Sequence, residues 1–403
     1  MQALDRISQR VKPGAMDSIS VGWSQRNITP EEPLKLMGYG WKGNYTSVHD
    51  SLMLRCLYFE DGQQSVALLS YDLMIVHPDL SAAIRHAVDT AGLDLNGLYF
   101  TAVHTHKGYG EWASGLGGLL TAGGYDESLV RFIAKQTLAA IRQAHAEKEV
   151  ASLGYSAYAQ PELVHNRLSK GLPEDSLLRV LKLKQASGKS AALCTFAAHA
   201  TFINSKSMQL SADYPGALVK ILEKHADIDF ALFAAGAVGS HSPYRQGPFS
   251  YSSMQSYADR LAEPLLKNWD TIRTEPAGLL EFICVPLALG PSQLKVSEHW
   301  RVRDWVFRAF FGELSPELTA LRLGPTVLLG TPADFSGMLY PHLNADPLHL
   351  MVTSFNGSYI GYVIPDEEYS RAHREARELN WFGPYTGSYL TETINRLLAI
   401  FRD

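Results

Sequence analysis

Two histidines one residue apart close an apolar run: Leu98, Tyr99, Phe100, Thr101, Ala102 and Val103 lead into His104, Thr105, His106, Lys107 and Gly108. The β-branched and aromatic content of the run reads as a buried strand, and the glycines from Gly108 onward read as the loop that ends it. Side chains alternate along a strand, so His104 and His106 point the same way. One can then bind a metal while the other orients a ligand or substrate. Histidines satisfied in a core or at a surface are commoner than metal ligands, so the pair needs company elsewhere in the chain.

That company is available. A hydrolytic zinc site takes three or four ligands from His, Asp, Glu or another oxygen donor and leaves a position for water, which the ion acidifies toward neutrality. His199 follows the apolar run 193–197, Asp334 follows Gly330-Thr331-Pro332-Ala333, and Tyr362 closes Asn356-Gly357-Ser358-Tyr359-Ile360-Gly361. Taken singly, these read as a core histidine, a turn aspartate and a packed aromatic; their joint placement after strands is what points to chemistry. Ser242 lies in the turn-rich stretch from Gly236 to Pro243, where a hydroxyl can be exposed and backbone N–H groups can face an oxyanion, although Ser-Pro is also ordinary turn chemistry. Arg167 is a carboxylate or oxyanion partner. No Gly-X-Ser-X-Gly elbow accompanies Ser242, which argues against a metal-free serine hydrolase.

The elements that would position these residues repeat one grammar. Strand, polar loop, helix, strand and polar loop recur three times: 65–69 with 98–103, 193–197 with 230–235, and 326–329 with 348–353. In α/β architectures ligands bind beyond the carboxyl ends of strands, so the six loop ends form the natural rim of one site. The helix of the first unit carries Leu80, Ile84, Ala87 and Val88; that of the second starts near Asp213, a candidate N-cap; that of the third falls near 338–343. Further helices are expected at 126–147, 251–269, 371–378 and 391–401, and further strands at 52–59, 150–157, 177–183 and 280–287. The fold class is therefore α/β, with mixed sheets flanked by helices. Residues 1–20, with Lys12-Pro13-Gly14, read as an irregular lead-in, and 21–403 as a single domain. Trp300, Trp305, Phe307, Phe310 and Phe311 crowd together as a satellite core or as a lip of the site, the core being favoured.

Composition narrows the function classes. The chain has 403 residues, a net charge of -5 and 46% hydrophobic residues, with a mean hydropathy of -0.09. It has no basic footprint for nucleic acid. No run approaches the roughly 18 apolar residues that span a bilayer. The first residues lack the pattern of a signal peptide. The expected protein is soluble and cytoplasmic, or secreted or periplasmic if a signal has been removed. Cys56, Cys194 and Cys284 are widely spaced and read as buried thiols, neither a disulfide framework nor a metal cage.

The residues also carry a resemblance. His104-Thr105-His106-Lys107-Gly108, Asn166-Arg167, Phe196 through Thr201, Ser211-Ala212-Asp213-Tyr214-Pro215-Gly216, Gly239 through Pro243, Gly330 through Phe335, and Asn356 through Tyr362 with Glu367-Glu368-Tyr369 resemble, in order, the neutral/alkaline non-lysosomal ceramidase family. The resemblance implies a hydrolase with one Zn2+ that cleaves an N-acyl bond of a ceramide-like lipid. By position it implies His104, His199, Asp334 and Tyr362 as metal ligands, Ser242 as the catalytic serine, and His106 and Arg167 lining the site. The chain departs from the family pattern in several places. Aspartate stands at 334 where the family has glutamate, Lys107-Gly108-Tyr109-Gly110 replaces Ser-Gly-Pro-Gly, an aspartate is missing before Ser242, and Arg374 falls where the family has tyrosine. These departures imply a lipid-like or smaller amide substrate rather than ceramide itself, or a degenerate binding protein that keeps the fold, with or without the metal, and has no turnover.

Overall fold

The computed structural model describes residues 18–40, 43–168 and 171–402. Most of the expected lead-in therefore lies outside the described residues, and β1 (Ile19–Asn27) begins within its last residues. The strands β2 (Met53–Glu60), β3 (Ser65–Tyr71), β4 (Gly97–Ala102), β5 (Glu149–Ala159), β6 (Val164–Asn166), β7 (Leu177–Gln185), β8 (Ser190–Phe196) and β9 (Phe230–Ala235) follow. All but β6 join one sheet in the order β9-β8-β7-β5-β1-β2-β3-β4. Its two outer pairs, β3/β4 and β8/β9, are parallel, and the pairings between them are antiparallel. β10 (His241–Pro243) pairs with β6. β11 (Leu280–Pro286), β12 (Glu317–Leu323) and β13 (Thr326–Thr331) start a second sheet; β14 (Asp334–Phe335) leaves it, and β15 (His349–Ser354) rejoins it parallel to β13. β16 (Tyr362–Val363) pairs with β14.

The period-two pattern stacks these sheets. On β2, Leu54, Cys56 and Tyr58 face α1 (Pro78–Thr90) and, beyond α2 (Gly115–Ala122), α3 (Glu127–Ala146), while Leu57 and Phe59 face the second sheet through Leu321, Leu328 and Met351. β8 and β9 divide likewise: Ala192, Cys194 and Phe233 pack on α4 (Asp213–Leu222) and α5 (Tyr251–Asn268), and Leu193 and Leu232 pack between the sheets. Leu318, Val327, Leu329 and Val352 of the second sheet turn outward onto the last helix, with Ile394, Leu397 and Phe401. The layers are thus helix, sheet, sheet, helix. Strands buried on both faces read as continuous apolar runs, and each fully buried leucine contributes roughly 1.5–3 kcal/mol. Among the described residues, no helix is long and apolar enough to cross a membrane. Cys56 and Cys194 are buried, Cys284 is half-buried, and all three are free thiols.

The three repeated units form as expected, each bringing its two strands side by side in parallel. The connecting elements differ in detail. The third unit has a 3-10 helix, Gly337–His342, in place of an α-helix; Pro341 within it has no N–H to continue a helical ladder. Asp213 is not an N-cap, for Ala212 holds that position. Asp213 has φ 57 and its carboxylate accepts from the N–H groups of Phe202, Ile203 and Tyr214 at 3.1, 2.9 and 2.7 Å, which pins the loop that follows His199. α6 (Asp304–Phe311) follows the second sheet's first strand, and the helix expected at 371–378 shrinks to α7 (Arg374–Arg377) before α8 (Thr386–Arg402). α2 occupies part of the glycine-rich stretch that reads as loop.

At the carboxyl end of β3, Asp72 accepts from the Met53 N–H at 2.8 Å. Burial, opposed by the Arg55 charge, pushes its carboxyl up from 3.8 to about 7. The folded protein therefore takes up a proton between those values. The contribution to stability is complete below the unfolded value and is lost as pH rises through about 7. Asp72→Asn keeps an acceptor for Met53 and removes the titration, so urea unfolding at pH 5 and pH 7.5 should show a smaller drop in stability than in the parent; an unchanged drop would place the titration elsewhere.

Candidate active site

His104, His106 and His199 are delivered by backbone just past strands, and Asp334 and Tyr362 by short strands of their own. β4 ends at Ala102, and the next two residues continue by hydrogen bonding Val103 N–H to Tyr71 O and His104 N–H to Leu73 O, both at 3.0 Å. His104 then takes φ 64, a left-handed conformation that few residues with a Cβ adopt. The two imidazoles converge through this turn, with Nε2 atoms 3.3 Å apart, and strand alternation is not what aligns them. Phe355 stacks on His104 at 4.1 Å between ring centroids. His199 follows β8, its N–H bonded to His241 O. Asp334 and Tyr362 are direct register partners on β14 and β16, so they arrive as a pair.

The hydrogen bonds behind the rings define which nitrogen faces inward. Nδ1 of His104 lies 2.7 Å from Met74 O, that of His106 2.7 Å from Gly38 O, and that of His199 2.8 Å from Val238 O. A carbonyl only accepts, so each Nδ1 carries a proton and each Nε2 is the ring atom turned inward. Burial, reinforced by the other imidazoles, keeps His106 well below its usual range. Burial and the nearby Arg167 bring His199 down to about 3. Asp334 Oδ1 lies 3.2 Å from His104 Nε2 and 3.1 Å from His199 Nε2, yet makes no hydrogen bond. Its other oxygen accepts from the Tyr359 hydroxyl at 2.6 Å. Tyr362 OH lies 3.0 Å from His199 Nε2 and accepts from Arg167 at 2.9 Å.

His104, His199 and Asp334 are fully buried, and His106 is half-buried. Three imidazole Nε2 atoms and a carboxylate oxygen therefore face one another, the kinds of atoms that ligate a metal ion. Ligating atoms of His104, His106 and His199 all lie within 4.8 Å of one another, a spacing that could hold a metal ion. The donor set of nitrogens and a carboxylate, each imidazole braced from behind, fits zinc. Two glycines make room. A Cβ on Gly38 would meet His106 at 2.6 Å, and one on Gly239 would meet the Asp334 carbonyl oxygen at 2.2 Å.

His104, His106, His199, Asp334, Tyr362 and Arg167 thus meet in one network. Ser242 stands apart, half-buried on β10 and directly across from His165 of β6; among the described residues, no hydrogen bond joins its side chain to the network. Two further residues belong to it. Tyr359 lies in a segment the sequence singles out, whereas Glu375, at 3.1 Å from Arg167 Nε, sits in a charged run with no sequence signal.

A cavity of about 900 Å³ opens beside the network. Met74, whose carbonyl braces His104, and Tyr359, which bonds Asp334, line its inner end. Trp112, Phe310, Phe311 and Trp381 supply apolar wall, and Asp79, Arg85 and Glu317 supply charge. The aromatic crowd divides between the two expected roles: Phe307 is buried against Phe311, Trp381 and Phe382, while Phe310 and Phe311 line the cavity. Trp300 and Trp305 are 73% and 68% exposed.

The sequence profile of the neutral/alkaline non-lysosomal ceramidase N-terminal domain matches residues 19–260. Among solved structures, the chain is similar to the crystal structure of neutral ceramidase from Pseudomonas aeruginosa, with TM-score 0.84 and 17% identity over 96% of this chain and 75% of that one. It is also similar to a ceramidase complexed with C2, with TM-score 0.80 and 16% identity over the same shares. These likenesses establish the fold. No curated protein sequence matches the chain.

Proposed function

Because the chain belongs to the neutral/alkaline non-lysosomal ceramidase family, we propose that it is a zinc-dependent amidohydrolase cleaving the N-acyl bond of a linear, lipid-like or smaller amide. The observation that carries this reading is the convergence of the inward-facing Nε2 atoms of His104 and His199 on an Asp334 oxygen that makes no hydrogen bond. His104, His199, Asp334 and Tyr362 would hold one zinc ion. A zinc ion there supplies polarisation of the amide carbonyl and a bound water of near-neutral acidity.

The remaining chemistry falls to the chain's own side chains. His106, fixed by Gly38 and half-exposed, can accept a proton at Nε2 and return it to the leaving amine. Arg167 presents N–H groups toward the Tyr362 oxygen and the space beside it, where charge would develop on the carbonyl oxygen. The position of Ser242 across from His165, outside the hydrogen-bonded network, favours water as the nucleophile. The apolar walls and charged pairs of the adjoining cavity suit an acyl chain joined to a polar group.

The test is amine release from N-acyl amides of increasing acyl length by zinc-supplied protein. Turnover that a chelator abolishes and zinc restores is expected. Protein that holds zinc but turns over none of them would favour the binding-protein reading.

A further inference from the structure

Arg167 spans two environments. Its Nη2 donates to Tyr362 OH at 2.9 Å and lies 3.3 Å from His199 Nε2, while its Nε lies 3.1 Å from a carboxylate oxygen of Glu375 on α7. The Arg167 and Glu375 side chains are only 21% and 16% exposed, so the pair is shielded from water and from salt. A guanidinium this close to a would-be metal ligand opposes any cation placed there, because like charges in a partly buried site repel strongly. Its planar fork also points wherever its anionic partner holds it. Glu375 is that partner.

We infer that Glu375 is a positioning residue for the metal site: it aims Arg167 at the Tyr362 oxygen. The inference rests on the reading that this cluster holds zinc. Glu375 touches neither the histidines nor Asp334 in any hydrogen bond or ion pair among the described residues, so its positioning effect passes through Arg167.

This dependence gives a test that does not rely on catalysis. Zinc affinity is measured by competition with a chromophoric chelator for the parent, E375Q, E375D, R167M and the R167M/E375Q double variant. Loss of an outer partner of a metal ligand costs roughly 10–100-fold in affinity, and E375Q should fall in that range with E375D between it and the parent. In the R167M background the same glutamine substitution should change affinity by less than about twofold, since the group it acts through is gone. An equal loss in both backgrounds, or no loss with E375Q, overturns the inference. If E375Q does not fold, E375D decides: weakened binding supports the role and parent-like binding removes it. A parent protein that binds no zinc removes the metal reading and this inference together, whereas a zinc-binding parent with an unaffected E375Q removes the inference alone.

Discussion

Replacing His104 and His199 together by alanine should empty the protein of zinc. Elemental analysis of the parent, purified with zinc supplied, is expected to return about one ion per chain, and the double variant none. The expected loss exceeds the roughly 10–100-fold that removal of an outer partner costs, because two of the donors themselves disappear. Both imidazoles are fully buried, and each is held from behind by a backbone carbonyl, so their removal leaves His106 as the one imidazole of the cluster. A second readout follows from mass action. Ligand at about a hundred times its dissociation constant stabilises a folded protein by roughly 2.7 kcal/mol, so zinc should raise the melting temperature of the parent and leave that of the double variant unchanged. Zinc retained at parent level by the double variant would mean that the ion sits elsewhere.

Asp334→Glu is expected to weaken the site, although glutamate is the residue that the family resemblance implies at this position. Backbone geometry gives the reason. Gly239 packs so closely on the Asp334 carbonyl that even a Cβ there would approach to 2.2 Å, and register pairing with Tyr362 holds Asp334 from the other side. The shorter carboxylate already lies 3.1–3.2 Å from two imidazole nitrogens. An added methylene has nowhere to go without displacing His104 or His199 or breaking the 2.6 Å bond from Tyr359. Overpacking of this kind costs about 1–3 kcal/mol, to be read by urea unfolding of the metal-free protein. Zinc affinity should fall on the order of tenfold or more, as it does when the shell that orients a ligand is disturbed. Tighter zinc binding by the glutamate variant would show that the aspartate is a weakened ligand and would sink this account.

Much of this arrangement is legible in the residues before any coordinates. The three parallel pairs are visible because strands covered on both faces must be apolar at every position, as in Val66 through Leu69 and Phe230 through Ala235. The polar residues that interrupt those runs are then conspicuous, and His104, His199 and Asp334 are among them. Other features have no local signature. His106 converges on His104 because His104 takes a left-handed conformation, uncommon for residues with a Cβ. Asp213 looks like a helix cap from its position before Tyr214-Pro215, yet its carboxylate serves a loop ten residues upstream, a contact set by tertiary structure alone. Glu375 lies between Arg374 and Arg377 in a segment whose pattern reads as a solvated helix. Only the approach of Arg167, distant in sequence, gives it a partner.

The two-sheet construction bears on how the protein would come apart. His104 and His199 extend from the long sheet, whereas Asp334 and Tyr362 belong to segments that follow strands of the second. The donors proposed for the ion are drawn from both sheets, so an ion held by them would act as a clasp that exists only when the two are closed together. Such a clasp does little for the early collapse of either half, because distant contacts form only after their connecting chain has been ordered. Its main effect would be on the reverse process: opening the sandwich must first release the ion, so the bound form would be long-lived rather than fast to assemble.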